Sequence, residues 1–145
     1  MARLEYQRKV ISDAEKQEGT PLTDILKAIA DDKSLVLFNT IANAGGDTDI
    51  LIRRLDLTRK QYYFRISALL KTGLISRKSR QYNLTSFGKI VYDAQLMIGR
   101  AANTFWKLKA IDSLETDKLP ADERNKIINT LIDNQDIIKI LVKQS

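Results

Sequence analysis

Residues 51–70 read LIRRLDLTRKQYYFRISALL, and after Lys71 the chain continues TGLISRKSRQYNLTSFG over 72–88. A first helix begins near Asp49 and buries Leu51, Ile52 and Leu55. Asp56-Leu57-Thr58 reads as a turn. Thr58 and Gln61 have the spacing of a capping box, in which each side chain satisfies the other residue's backbone N–H, so a second helix starts there. Its Tyr62, Ile66 and Leu69 fall at steps of four and three on one face. Gly73 stops it, because glycine accepts the left-handed backbone of a helix stop. Leu74–Arg77 and Gln81–Leu84 read as short strands around Lys78-Ser79-Arg80, with Tyr82 and Leu84 on the packed face.

Upstream, Thr23 and Asp24 open a helical pattern with Ile25, Leu26 and Ile29. Ser34 is the expected cap of the next helix, whose apolar face is Leu35, Leu37, Phe38 and Ile41. Ala44-Gly45-Gly46 ends it. Helices, then a hairpin, then the entry to another helix is the order of a winged helix-turn-helix, expected over 21–86. Residues 1–20 are polar, with Leu4, Tyr6, Val10 and Ile11 as the sizeable apolar side chains, and read as an N-terminal arm or a short helix.

Downstream, Ser86 to about Leu114 reads as one long helix. Phe87, Val91, Ala94, Ile98, Ala101, Phe105 and Leu108 recur at steps of four and three, a heptad seam over three repeats. Ile90, Met97 and Ile111 widen it. Such a stripe predicts a dimer interface through Val91, Ala94, Ile98, Ala101, Phe105 and Leu108. The alternative is packing within the chain against the last segment. There Leu119-Pro120 starts a helix with Ile127, Ile128, Leu131 and Ile132, and a final helix carries Ile137, Ile138, Leu141 and Val142. Residues 87–145 are thus expected to be a helical dimerisation region. Trp106 reads as a buried seam edge or dimer contact, and Asp112, Glu115 and Asp117 as solvated linker surface. The expected fold class is mainly α with a small β-hairpin wing, a long dimerisation helix and two short terminal helices.

Composition narrows the function. The 145 residues hold no cysteine and no histidine. That removes disulfides, thiolate and imidazole metal sites, and every catalytic scheme built on Cys or His. No paired-carboxylate motif, phosphate-cradling glycine loop or nucleophile elbow occurs. The expectation is a protein that is not an enzyme, with no metal and no cofactor. No apolar run approaches a membrane span, and MARLEYQRKV is too charged for a signal peptide. These features predict a cytoplasmic protein without membrane association.

The net charge of +6 is unevenly placed. Between Arg53 and Arg80 stand nine basic residues and one acid, Asp56, a local charge of +8; the rest of the chain carries fifteen basic and seventeen acidic residues, a net −2. Positive charge confined to one motif is the footprint of a polyanion site. A solvated charged face is the bland alternative, and its coincidence with the helix-turn-helix pattern argues against it.

With Tyr62, Ile66 and Leu69 inward, the outward set of the second helix is Arg59, Lys60, Gln61, Tyr63, Arg65 and Ser67. Arg bonds guanine and Gln bonds adenine bidentately, so Gln61, Tyr63 and Arg65 are the expected base readers. Arg59 and Lys60 are expected phosphate clamps, which position without reading sequence. Tyr62-Tyr63-Phe64 cannot all face outward. Helical phase makes Tyr62 the core member, and the alternatives for Tyr63 and Phe64 stay open, including Phe64 packing on the first helix. Arg77, Lys78 and Arg80 are placed to meet phosphates or the minor groove. Arg53 and Arg54 either touch the backbone or stay in water.

LVLFNTIANAGG at 35–46, LIRRLDLTRKQYYFRISALLKTGLI at 51–75 and RQYNLTSFGKIVY at 80–92 resemble archaeal winged-helix transcription regulators, broadly the ArsR/MarR-like type. The specific parts are Lys71, Gly73, Leu74 and Ile75 at the end of the third helix, and Tyr82, Leu84, Thr85 and Gly88 at the entry to the fourth. The resemblance spans roughly residues 24–110. Asp56 holds the turn position often occupied by glycine, and the hairpin tip lacks glycine. The Cys and His by which metal-sensing relatives bind an effector are missing, so no such sensing carries over. The resemblance implies a homodimer that regulates transcription by binding double-stranded DNA, with the effector unknown. The alternative is a winged-helix scaffold for protein–protein contact in a transcription or other nucleoprotein assembly.

Overall fold

Aspartate side chains start two of the first helices. The computed structural model describes residues 2–16, 19–114 and 118–142. Among these residues the chain is mainly helical, with one small antiparallel sheet. It divides into two units, Met1–Gly88 and Lys89–Ser145. No described helix is long and apolar enough to cross a membrane.

The first unit opens with α1 (Ala2–Lys16). Of the two expectations for this segment the helix is the one formed, and the side chains of residues 2–9 along it are exposed. Next come α2 (Leu22–Ile29) and α3 (Asp32–Ala44). The expected Ser34 cap is corrected here. Asp31 is the N-cap: the Ser34 N–H donates to Asp31 Oδ1 at 2.6 Å and the Ser34 hydroxyl donates to Oδ2 at 3.0 Å. A carboxylate accepts both bonds where a serine hydroxyl would accept one, and Ser34 is left as a buried partner. Gly45, at φ 61°, closes α3. Asp47 caps α4 (Thr48–Leu55) by accepting the Ile50 N–H at 3.0 Å.

Asp56 takes the left-handed conformation (φ 51°, ψ 50°) in the turn after α4. Aspartate tolerates this region better than most residues. α5 (Arg59–Lys71) then starts on a capping box: Thr58 Oγ1 accepts the Gln61 N–H at 3.1 Å, and the Thr58 N–H donates to Gln61 Oε1 at 3.2 Å. Tyr62, Ile66 and Leu69 are buried, as their spacing requires. The helix ends in a Schellman motif, with Gly73 N–H to the Leu70 carbonyl and Leu74 N–H to the Leu69 carbonyl.

β1 (Ile75–Lys78) pairs antiparallel with β2 (Gln81–Leu84), with Lys78 opposite Gln81. The first strand begins one residue later than expected, because Leu74 is spent on the helix stop. Ser79 and Arg80 form the tip at φ 51° and 66°. Positive φ at both central residues is the type I′ turn, whose twist matches the strands. The Tyr82 N–H also donates to the Gly46 carbonyl at 3.3 Å, tying the α3–α4 connection to the hairpin. Leu37, Phe38, Leu51, Tyr62, Leu69 and Leu74 are fully buried at the centre of this unit. Burial of each large apolar side chain contributes about 1.5–3 kcal/mol before entropy is counted.

α6 (Ser86–Asn103) begins on Thr85, whose Oγ1 accepts the Gly88 N–H at 2.9 Å. The same hydroxyl donates to the Gly73 carbonyl, and the Thr85 N–H donates to the Leu74 carbonyl at 3.1 Å. Gly88 lies so close that an added Cβ would fall 2.0 Å from the Leu74 carbonyl oxygen. The Thr85 and Gly88 spacing in the sequence is therefore the device that docks the start of α6 on the end of α5.

In the second unit the expected single helix from Ser86 to Leu114 is broken. α6 ends at Asn103 and α7 spans Phe105–Leu114. The Thr104 N–H is shared between the Arg100 and Ala101 carbonyls, and its hydroxyl donates to the Ala101 carbonyl at 3.1 Å. Threonine back-bonding of this kind tightens a turn and bends a helix. α8 (Ala121–Leu131) follows Pro120, and α9 (Gln135–Val142) ends the described chain. Ile111, Ile128, Ile132, Ile137 and Ile138 form the core here, with Met97, Ala101 and Leu108 packed against it. Part of the heptad stripe is thus buried within the chain by the C-terminal helices. Trp106 is 77% exposed in the isolated chain, not a buried seam edge. Asp112 is exposed; Glu115 and Asp117 lie outside the described residues.

Candidate nucleic-acid interface

Of the nine cations between Arg53 and Arg80, eight are exposed: Arg53, Arg54, Arg59, Lys60, Lys71, Arg77, Lys78 and Arg80. They lie on α4, α5 and the hairpin, three consecutive elements. Arg53 and Arg54 occupy the last turn of α4, where the helix dipole favours cations. Arg59 stands 3.7 Å from Asp49, but both side chains are about 70% exposed and such a pair holds little energy.

Arg65 is the exception. Its side chain is 17% exposed, its Nε lies 3.5 Å from Asp31 Oδ1, and its Nη1 donates to the Gln61 carbonyl at 3.2 Å. It links α5 to the cap of α3. Partial burial pushes the Asp31 carboxyl up. The two Ser34 hydrogen bonds and the Arg65 guanidinium outweigh that and hold it below its ordinary value. Tyr62 behaves oppositely: burial pushes its phenol up, against its hydrogen bond to Thr48 at 3.3 Å.

Gln61 is half-buried and its side-chain oxygen belongs to the capping box. Tyr63 is half exposed, its ring edge-on to Tyr62 at 5.3 Å. Ser67 is exposed. Phe64, left open by the sequence, is 75% exposed and so does not pack into the core. Together with Lys60, Ser67 and Lys71 it forms the face opposite Tyr62, Ile66 and Leu69. Sequence reasoning omitted Phe64 and Lys71 from the site, although their helical phase, four and eleven residues from Lys60, was available.

At the hairpin, Arg77 lies over the Tyr82 ring at 5.7 Å, a cation–π contact that steadies the guanidinium beside the strand. Lys78 and Arg80 stand free at the tip. On α3 and α4 a shallow groove of about 300 Å³ is lined by Val36, Asn39, Thr40, Asn43 and Arg54. Among the described residues no group of three or more His, Cys, Asp or Glu side chains converges to hold a metal ion.

The expected dimer residues fall into two sets. Ala101 and Leu108 pack against the core of the second unit. Ala94, Ile98 and Phe105 are exposed and Val91 is half-buried. Ile90, Ala94 and Ile98 follow one another at steps of four along α6, with Ile90 67% and Ile98 68% exposed. Comparison with family profiles, with curated proteins and with solved structures returned no match to this chain.

Proposed function

We propose that this chain is a winged-helix transcription regulator that binds double-stranded DNA sequence-specifically as a homodimer. α5 enters the major groove as the recognition helix, and the hairpin is the wing on the backbone or minor groove. One observation carries the reading. Between Arg53 and Arg80, over the last turn of α4, the turn after it, α5 and the hairpin, eight exposed cations stand with a single acid, Asp56, while the rest of the chain is slightly acidic. A polyanion of regular spacing complements that surface. Lys60, Arg59, Arg77, Lys78 and Arg80 hold phosphates, with Arg53 and Arg54 behind them. With DNA as the partner, the resemblance to archaeal regulators makes the cytoplasm the expected location. No catalytic role is assigned.

The dimer rests on the exposed Ile90, Ala94 and Ile98 stripe, a helical face without a packing partner among the described residues. A two-fold dimer predicts half-sites about one helical turn apart. A second reading, a scaffold for protein contact, draws on the exposed Tyr63 and Phe64 rings.

The test is fluorescence anisotropy of the full chain with random-sequence duplex over a salt series. Micromolar or tighter binding at low salt supports the regulator, with log K falling by about 0.9 per phosphate neutralised for each unit of log salt. Lys60→Glu with Lys78→Glu should weaken it. Absence of binding at low salt transfers the site to the scaffold reading.

A further inference from the structure

The residues of α5 best suited to hydrogen-bonded base readout are already engaged. Bidentate recognition of adenine needs both the oxygen and the nitrogen of a glutamine amide. The Gln61 oxygen is held by the Thr58 N–H. Arg65 is turned toward Asp31 and the Gln61 carbonyl. What remains exposed on α5 is Arg59, Lys60, Tyr63, Phe64, Ser67, Leu70 and Lys71, with Lys60, Phe64, Ser67 and Lys71 on one face.

Phe64 sits on that face, at the edge of a shallow groove that Asp24, Lys27 and Ala28 of α2 line with it. Its ring has no donor or acceptor, and at 75% exposure it gains the folded chain little burial. In the major groove the base-edge feature that welcomes an apolar side chain is the thymine C5-methyl group. We propose that α5 reads thymine, by apolar contact of Phe64 with C5-methyl groups, Tyr63 flanking it. Lys60 lies one turn before Phe64 and Lys71 two turns after it, so the lysines meet the phosphates on either side. The complementarity is twofold: apolar ring to methyl, flanking cations to the anionic backbone. This inference rests on the duplex-binding reading above.

Four duplex probes of equal length test it by anisotropy: alternating dA-dT, the same duplex with deoxyuridine for thymidine, alternating dG-dC, and the dG-dC duplex with 5-methylated cytosine. The dA-dT probe should bind more tightly than its deoxyuridine form, about fourfold for each methyl contacted. Cytosine methylation, which places a methyl at the same ring position, should strengthen binding to the dG-dC probe. Phe64→Ala should erase both differences and keep the salt slope. Its fold is not at risk, because the side chain is exposed. Equal affinity for the thymidine and deoxyuridine probes overturns the methyl reading while leaving duplex binding intact. Binding to none of the probes at low salt overturns duplex binding itself. Retained methyl discrimination in Phe64→Ala removes Phe64 from the role.

Discussion

Arg65 Nε stands 3.5 Å from Asp31 Oδ1, so one side chain of the proposed recognition helix is joined to the residue that caps α3. Asp31 thereby serves two elements at once, through Ser34 and through Arg65. The angle between α3 and α5 is braced by this contact as well as by the core.

The Asp31 carboxyl is held below its ordinary value in the folded chain, so its contribution to stability is complete above about pH 4 and is lost as pH falls through the lower folded value. Asp31→Asn keeps a good capping group without the charge. Thermal melting from pH 6 to pH 2.5 should show a shallower acid loss for the variant than for the parent. Asp31→Ala, which removes the cap, should cost about 1 kcal/mol at pH 7. Arg65→Met should lower the melting temperature and leave the salt slope of DNA binding unchanged. A reduced slope would make Arg65 a phosphate contact.

Two glycines of α6 should respond in opposite directions. At Gly88 a methyl group would meet the Leu74 carbonyl, a backbone atom that already accepts the Thr85 N–H. Gly88→Ala should destabilise by about 3 kcal/mol, the upper end of overpacking costs. At Gly99 nothing lies within 4 Å of the added atom. Gly99→Ala should stabilise by up to about 1 kcal/mol through helix propensity. Circular dichroism melts of both variants check the pair.

The hairpin tip places two non-glycine residues at positive φ. Ser79→Asn should raise stability by a few tenths of a kcal/mol or more, because asparagine accepts the left-handed region. Arg80→Gly should relieve about 1 kcal/mol of strain and also delete a cation. Its melting temperature should rise while DNA affinity falls, with a salt slope smaller by about 0.9. An unchanged slope would show that Arg80 meets no phosphate.

Ile98 is 68% exposed on α6. Ile98→Asp should leave the melting temperature of the monomer unchanged and convert the dimer to monomer in sedimentation velocity. A parent chain that stays monomeric at every accessible concentration removes the proposed seam. Melting also bears on Tyr62: its raised pKa means that stability falls as pH climbs above about 10, where the unfolded phenol ionises first.

The local elements were written in the sequence. Capping by Thr58 and Gln61, the left-handed turn at Asp56, the stop at Gly73 and the inward phase of Tyr62, Ile66 and Leu69 all depend on residues within about two helical turns of one another, and all appear as expected. The concentration of charge was equally legible, because net charge needs no coordinates. Asp31 was the local exception: serine and aspartate are both good caps, and the burial of Ser34 decided between them.

Only the tertiary structure decided which outward-phase residues of α5 are free. Helical phase places Arg65 on the flank of the helix, but it cannot say that Asp31, 34 positions earlier in the chain, stands there to engage it. Phase likewise could not say whether Phe64 had a packing partner. The heptad stripe was visible as a period. Which of its members are buried depended on how α8 and α9 fold back to form a core with Ile111, and on the Thr104 hydroxyl that breaks the helix. Periodicity reports which side chains share a face; what covers that face is set by segments remote in sequence.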